Sequence, residues 1–182
     1  MTRMAEIPEV RSFIRHWGEM GSAWGVNRSV AQVHALLYLS EPPLPADEIC
    51  EELRLARSNV SNALRELQAY GIVRRVHLDD DRRDHFLAET DVWELFTRIV
   101  AERKRREIDP TIALMQQLAD SLAVRSNAPA HVRDRIGAMQ SVLGMLGEWH
   151  ADVSRLPRRT LLALVRLGAR VARIVPGPRI NP

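Results

Sequence analysis

Lysine is almost missing from this 182-residue chain: of 26 basic residues only Lys104 is one, and arginine supplies the rest of the positive charge. A G+C-rich genome and selection for phosphate binding account for that bias equally well, so a net charge of +3 decides little by itself. Cysteine is scarcer still. Cys50 stands alone, so no intrachain disulfide can form, and a reducing compartment is expected. Its place beside Ile49 and before Leu53 favours a small buried hydrophobe over a redox sensor. Residues 1–10 hold no apolar signal core and no apolar run is long enough to span a bilayer, which predicts a cytoplasmic protein without a membrane partner. Signs of catalysis are missing too. There is no glycine-rich phosphate loop and no nucleophile elbow, so an enzyme is not expected. The histidines, His16, His34, His77, His85, His131 and His150, never fall four residues apart, the spacing that aligns two metal ligands on one helix face. No metal or other cofactor is expected.

What the chain does hold is concentrated in residues 44–87, which read as two short helices joined by a tight turn and followed by a charged β-ribbon. That order is a winged helix-turn-helix. On the second helix Val60, Ala63, Leu64 and Leu67 cluster on one side, while Ser58, Ser61, Asn62 and Arg65 recur at i, i+3, i+4 and i+7 on the other. Short polar groups with one long cationic fork, and no carboxylate among them, suit base edges and phosphates in a major groove. Arg65, Asn62 and Ser61 are the expected base readers, Ser58 and Asn59 share their surface, and Arg57 is the expected phosphate contact. The ribbon reads as a strand over 72–78, a charged tip over 79–84 and a return strand over 85–88. Its tip either holds DNA backbone or minor groove through Arg82 and Arg83, or is simply solvated.

The flanking segments read as helices. Val10, Phe13, Ile14, Trp17, Met20, Gly21 and Trp24 give a first helix that serves the core or an interface and ends at Gly25. Asn27 is placed to cap a second helix whose stripe is Val30, Val33, Leu36 and Leu37. A proline-rich turn over 41–45 leads to a short acidic helix over 46–53, with Ile49, Cys50 and Leu53 inward. After the ribbon, Thr90 or Asp91 caps a helix with the stripe Val92, Leu95, Phe96, Ile99 and Val100. Asp109-Pro110 kinks or restarts it, and Ile112, Met115, Leu118 and Leu122 continue the buried pattern. Beyond a loop at 126–130, Val132, Ile136, Met139, Leu143, Leu146, His150 and Val153 form a seam of about three heptads that needs a partner, in the same chain or in a second subunit. The tail from Leu156 is basic and amphipathic, with Arg159, Arg166, Arg170 and Arg173 on one side. It reads as a packed helix with arginines outward in preference to a membrane-surface element. The fold class is therefore mostly α with a small β-wing. Three regions follow: an N-terminal helix over 1–26, a winged helix-turn-helix over 27–90 and a helical dimerisation and effector region over 91–182.

Together these residues resemble the GbsR branch of the MarR-type winged-helix transcriptional regulators, from about Phe13 to about Leu118. The resemblance rests on Trp24-Gly25-Val26-Asn27-Arg28, the helix over 44–53, Asn59-Val60-Ser61 with Leu64-Arg65-Glu66-Leu67, Gly71-Ile72-Val73, and Asp81-Arg82-Arg83 of the wing. It implies a homodimer on double-stranded DNA, a pseudo-palindromic operator and ligand-responsive repression. A serine often caps the recognition helix in this family; Ala56 stands there, which moves the expected cap to Ser58. The branch includes sensors of choline-like osmolytes, so a quaternary ammonium compound is the implied effector class, and Trp17, Trp24 and Trp93 are the candidate rings of an aromatic cage. A tryptophan at core spacing is also a core residue. Two other functions stay open on the residues alone: a winged-helix metal sensor, and a winged-helix protein-interaction module that never touches DNA.

Overall fold

Helix α1 (Pro8–Ala23) opens with proline, whose missing N–H is no loss in a first turn, and closes on a left-handed glycine. Gly25 takes φ 78°, the Val26 N–H donates to the Gly21 carbonyl at 2.8 Å, and the Gly25 N–H donates to Ser22 at 3.1 Å. That crossed pair satisfies carbonyls the helix end would otherwise leave open. The structure, a computed structural model, describes residues 4–124 and 128–168. It divides into two units, Met1–Lys104 and Arg105–Pro182.

In the first unit α2 (Arg28–Leu39) is the central element. Asn27 caps it by accepting the Ser29 N–H at 2.8 Å, and Val30, Val33, Leu36 and Leu37 are buried as the stripe predicts. Ala31, His34 and Ala35 are buried as well, so this helix is enclosed on nearly every side. Its approach to α1 depends on a missing side chain. A Cβ at Gly21 would lie 2.6 Å from the Ala31 Cβ, closer than carbon atoms tolerate. Gly21→Ala is therefore expected to lower stability by about 1–3 kcal/mol through overpacking, against the roughly 1 kcal/mol that alanine gains in helix propensity. Urea unfolding would measure it. An unchanged midpoint would mean the two helices separate at little cost.

Next come β1 (Leu44–Pro45), α3 (Ala46–Leu53), α4 (Arg57–Ala69), β2 (Val73–Leu78) and β3 (Asp81–Ala88). The sheet is antiparallel in the order β1-β3-β2, with Leu44 opposite Phe86 and Val73 opposite Ala88. Two segments differ from expectation. Residues 44 and 45 are an edge strand as well as part of a turn, because proline can sit where no ladder N–H is needed. Asp81, Arg82, Arg83 and Asp84 belong to β3, which leaves only Asp79 and Asp80 at the tip.

The last helix of this unit, α5 (Val92–Arg103), is capped by the Asp91 carboxylate, which accepts the Trp93 and Glu94 N–H groups at 2.9 and 3.1 Å. Only Leu95 of its apolar stripe is buried; Ile99 and Val100 are half-buried, and Val92 and Phe96 are exposed. Trp24 also departs from its expected stripe. It caps the end of α1 and is exposed, since the glycine stop turns the chain before a further helical residue can face the core.

A π-helical turn, Lys104–Ile108, precedes α6 (Asp109–Val124), which restarts with Pro110 in its first turn. The second unit continues with α7 (Ala130–Ser154) and α8 (Arg158–Leu167). Gly147 lets α6 close on α7, because a Cβ there would lie 3.0 Å from Ile112 Cδ1, and Gln140 Nε2 donates to Gln116 Oε1 at 2.6 Å. The expected seam divides. Ile136, Leu143 and His150 are half-buried, whereas Met139 and Leu146 are exposed, as is Leu118 of α6. No residue of α6, α7 or α8 is fully buried among the described residues. The readings that rest on residues 126 and 127, and on Arg170 and Arg173, lie outside the described residues. Among those described, no helix is long and apolar enough to cross a membrane.

Candidate nucleic-acid interface

The turn into α4 is tight because Arg54 takes a left-handed conformation, φ 53° and ψ 42°, with the Leu55 N–H donating to the Cys50 carbonyl at 3.1 Å. Ala56 then opens α4. Its carbonyl accepts from Asn59 and Val60 at 2.9 and 3.1 Å, but its methyl group caps nothing. Ser58 is thus not the cap; it sits inside the first turn with its hydroxyl on the surface. Arg57, Ser58, Asn59, Ser61, Asn62 and Arg65 are all exposed, while Val60, Ala63, Leu64 and Leu67 are buried against the core. Arg65 Nη1 lies 3.4 Å from Asn62 Oδ1, a marginal contact that leaves both free to reach outward. Gln68 extends the exposed face by one turn, and with Arg57, Ser61 and Arg65 it lines a shallow recess backed by Phe86. Sequence reasoning missed it, although three residues beyond Arg65 is the same helical spacing.

The far end of α4 is equally fixed. Gly71 takes φ 68°, its N–H donates to Gln68 at 2.9 Å, and the Ile72 N–H donates to Leu67 at 3.2 Å. Arg98 of α5 donates to the Gly71 carbonyl and pairs with Glu94 at 2.9 Å and Glu89 at 3.4 Å, tying the end of α4 to the helix behind it.

The wing tip is a two-residue turn closed by the pair Leu78 and Asp81. Neither tip residue has positive φ, and a register shift between Val76 and Leu78 makes up the twist that the usual glycine-containing hairpin turn supplies. Arg82 and Arg83 of β3 have different surroundings. Arg82 is exposed and has no partner among the described residues. Arg83 is engaged by three carboxylates: Asp81 at 2.6 Å, Asp47 at 2.9 Å and Glu48 at 3.3 Å. The hydrogen bond from Arg83 holds the Asp81 carboxyl down at about 2, and Asp81 with Asp47 raises the Arg83 guanidinium above its ordinary value. Because these groups are partly exposed, each pair stabilises only modestly. Their geometric effect is larger: β3 and the first turn of α3 are fastened together, and the acidic end of α3 is neutralised where it faces the wing.

The three tryptophans do not come together. Trp17 and Trp24 line one small cavity, whereas Trp93 pairs with Phe96 at a centroid distance of 6.2 Å and is not in that lining. Helical geometry explains the separation, because Ile99, which does line the cavity, lies six residues and about 240° around α5 from Trp93. Trp17 also joins Phe13, Tyr38 and His34 in an aromatic group with centroids 5.4–6.4 Å apart, stacked at Phe13 and tilted at His34. Among the described residues no three of His, Cys, Asp and Glu converge as a metal would require.

A buried three-helix support, a helix with one apolar and one polar face, and an antiparallel ribbon beside it define a winged helix-turn-helix protein. Residues 24–84 match the model of the MarR family. The chain is 24% identical over 94 residues to the HTH-type transcriptional repressor GbsR of Bacillus subtilis (strain 168), a match spanning 52% of each chain, so about half the length of that relative is covered. A crystal structure described as a transcriptional regulator superposes with a TM-score of 0.61 at 22% identity, covering 80% of this chain and 95% of that one. The chain has a winged-helix fold and, over residues 24–84, is similar to the MarR family.

Proposed function

We propose that the chain is a ligand-responsive repressor that binds duplex DNA as a homodimer in the cytoplasm, with α4 of each copy in a major groove. The observation that carries this reading is the exposed face of α4, where Arg57, Ser58, Ser61, Asn62, Arg65 and Gln68 all stand in solvent while the helix's one carboxylate, Glu66, is half-buried at its edge. Arg65 and Asn62 are assigned to base edges, with Ser61 beside them and Gln68, whose amide donates to the Leu64 carbonyl at 3.1 Å, at the margin; asparagine matches adenine and arginine matches guanine. Arg57, Ser58 and Asn59 at the helix start face phosphate, where backbone N–H groups also favour an anion. Arg82, exposed and without a side-chain partner among the described residues, is assigned to DNA backbone or minor groove. Arg83 positions the wing and keeps Asp47 and Glu48 from repelling phosphate.

The dimer is assigned to α7. Met139, Val142, Leu146 and Trp149 succeed one another at intervals of three, four and three and are 49–62% exposed in the single chain. A helix pair with no buried residue has little to stabilise it alone, and a ridge at that spacing suits a second copy. Two α4 helices related by a two-fold axis would then read half-sites roughly 34–36 Å apart or a multiple of that.

Selection of bound sequences from a random duplex pool tests the whole reading, and single-base variants of the winner test the residues. Arg65→Ala is expected to cost about 1–3 kcal/mol at one base position, while Arg82→Ala weakens all sequences alike and reduces the salt slope by about one. If Arg65→Ala is indifferent to sequence, the base assignment fails. Affinity that ignores salt altogether would remove phosphate contact and favour a protein-interaction module.

A further inference from the structure

On one flank of the first unit, α1, α2 and the end of α3 enclose a recess of about 480 Å³, within the roughly 300–1,000 Å³ of pockets that hold small organic molecules. It shares no residue with the cavity of Trp17 and Trp24 or with the shallow recess on the groove side of α4. Ile14 and Leu53 supply its apolar part. Arg15 of α1 and Arg54 of the α3–α4 turn both line it, and neither side chain has a partner among the described residues. Gln32 of α2 is half-buried with its amide likewise unengaged, and its stem crosses Gly18, where a Cβ would come within 2.8 Å of the Gln32 Cγ. Three separate elements thus present donors to one space. The neighbouring groups have other tasks. Arg11 Nη2 donates to the Glu6 carbonyl at 3.0 Å, and Glu52 accepts the Met4 N–H at 3.3 Å, which ties the segment before α1 to α3.

Unpaired guanidinia that open on a concave surface raise its positive potential, because low-dielectric walls focus charge. One compact dianion answers both, and a phosphate monoester offers three acceptor oxygens for charge-assisted hydrogen bonds. The carboxylates of Glu6 and Glu52 line the same recess, so a molecule with two separated carboxylates would set one of them against like charge. We propose that this recess binds a small organic phosphate monoester, with its phosphate on Arg15 and Arg54 and its body on Gln32, Ile14 and Leu53. The site goes beyond the proposed function, since none of its residues belongs to the groove face. A ligand there links α1 to the left-handed turn at Arg54 that leads into α4.

Calorimetric titration of the full chain at low salt, without DNA, compares glucose 6-phosphate, inorganic phosphate, glucose and succinate. Glucose 6-phosphate is expected to bind one to one, inorganic phosphate and succinate about tenfold or more weakly, and glucose not at all. Arg15→Gln and Arg54→Gln should each weaken glucose 6-phosphate binding about tenfold or more. Arg15 is exposed in mid-helix, so its variant keeps the test open if Arg54→Gln disturbs the turn. Arg133→Gln, at an exposed arginine of α7, should change nothing. No saturable glucose 6-phosphate binding, equal binding of any of the other three compounds, or an equal loss in Arg133→Gln would overturn the site. Amide hydrogen exchange reads the link to the turn: the Leu55 N–H, which donates to the Cys50 carbonyl, should exchange more slowly with glucose 6-phosphate bound, and an unchanged rate would refute that part. If no sugar phosphate binds and Arg15→Gln weakens every duplex alike, the recess is a DNA-backbone contact and the proposal fails. The titrations contain no DNA, so failure of the DNA reading leaves their outcome untouched.

Discussion

Replacing Leu146 and Trp149 of α7 together by glutamate is expected to leave a folded monomer that binds a two-half-site duplex 100-fold to 10,000-fold more weakly, about the range that linking two binding modules supplies. Both residues are exposed in the single chain, at 49% and 62%, so the new carboxylates meet water there and strain nothing. In the dimer they would be buried unpaired against apolar side chains, and that desolvation is costly enough to prevent association. Light scattering gives the mass, circular dichroism checks that helix content is retained, and duplex titration gives the affinity. Ile136→Glu is a contrasting control: it faces a half-buried position and should lower stability first. A double variant that remains dimeric would place the subunit contact on another surface.

A second large effect is a loss of stability in mild acid traceable to His34. The folded protein holds this imidazole neutral down to about pH 4, whereas the unfolded chain takes up its proton near 6.5. Between those values the unfolded state binds the extra proton, so stability falls as pH falls, by about 1.4 kcal/mol per unit. Above pH 6.5 the contribution is fully present. Below about 4 both states are protonated and it is spent, for a total of order 3 kcal/mol. Asp81 works in a separate and lower window, since its depressed carboxyl loses its contribution only as pH falls from 3.8 toward about 2. Urea unfolding at pH 7, 6 and 5 should therefore show a declining midpoint that His34→Phe flattens. An equal decline in the variant would assign the acid sensitivity to other groups.

The faces of α4 were legible in the sequence because a 3.6-residue period sorts four apolar from four polar positions without help from the rest of the chain. The helix starts at Asn27 and Asp91 were legible for a similar reason, as caps are local chemistry. Strand β1 was not legible: two residues show no alternation, and the strand exists only because Phe86 and His85 come to lie beside it. The start of β3 was hidden by its charges, which read as a loop until Asp47 and Glu48 are seen to engage Arg83 across 35 residues or more. The division of the tryptophans was equally out of reach, because which side of α5 faces inward is decided by packing. On α7 the heptad spacing pointed correctly to a helix. It could not tell which positions α6 would take and which would remain open.

Arg54 holds a backbone conformation that glycine adopts freely and that costs a residue with a Cβ about 1–2 kcal/mol. The bend between α3 and α4 is thereby stiffer than a glycine elbow, since a side-chain-bearing residue has few other conformations nearby. Arg54→Gly would relax this strain while giving the unfolded chain more freedom, so net stability changes little. What changes is aim. With a looser joint, α4 would sweep a wider cone relative to the helix that supports it, and the sharpness of groove reading would decline before its strength does.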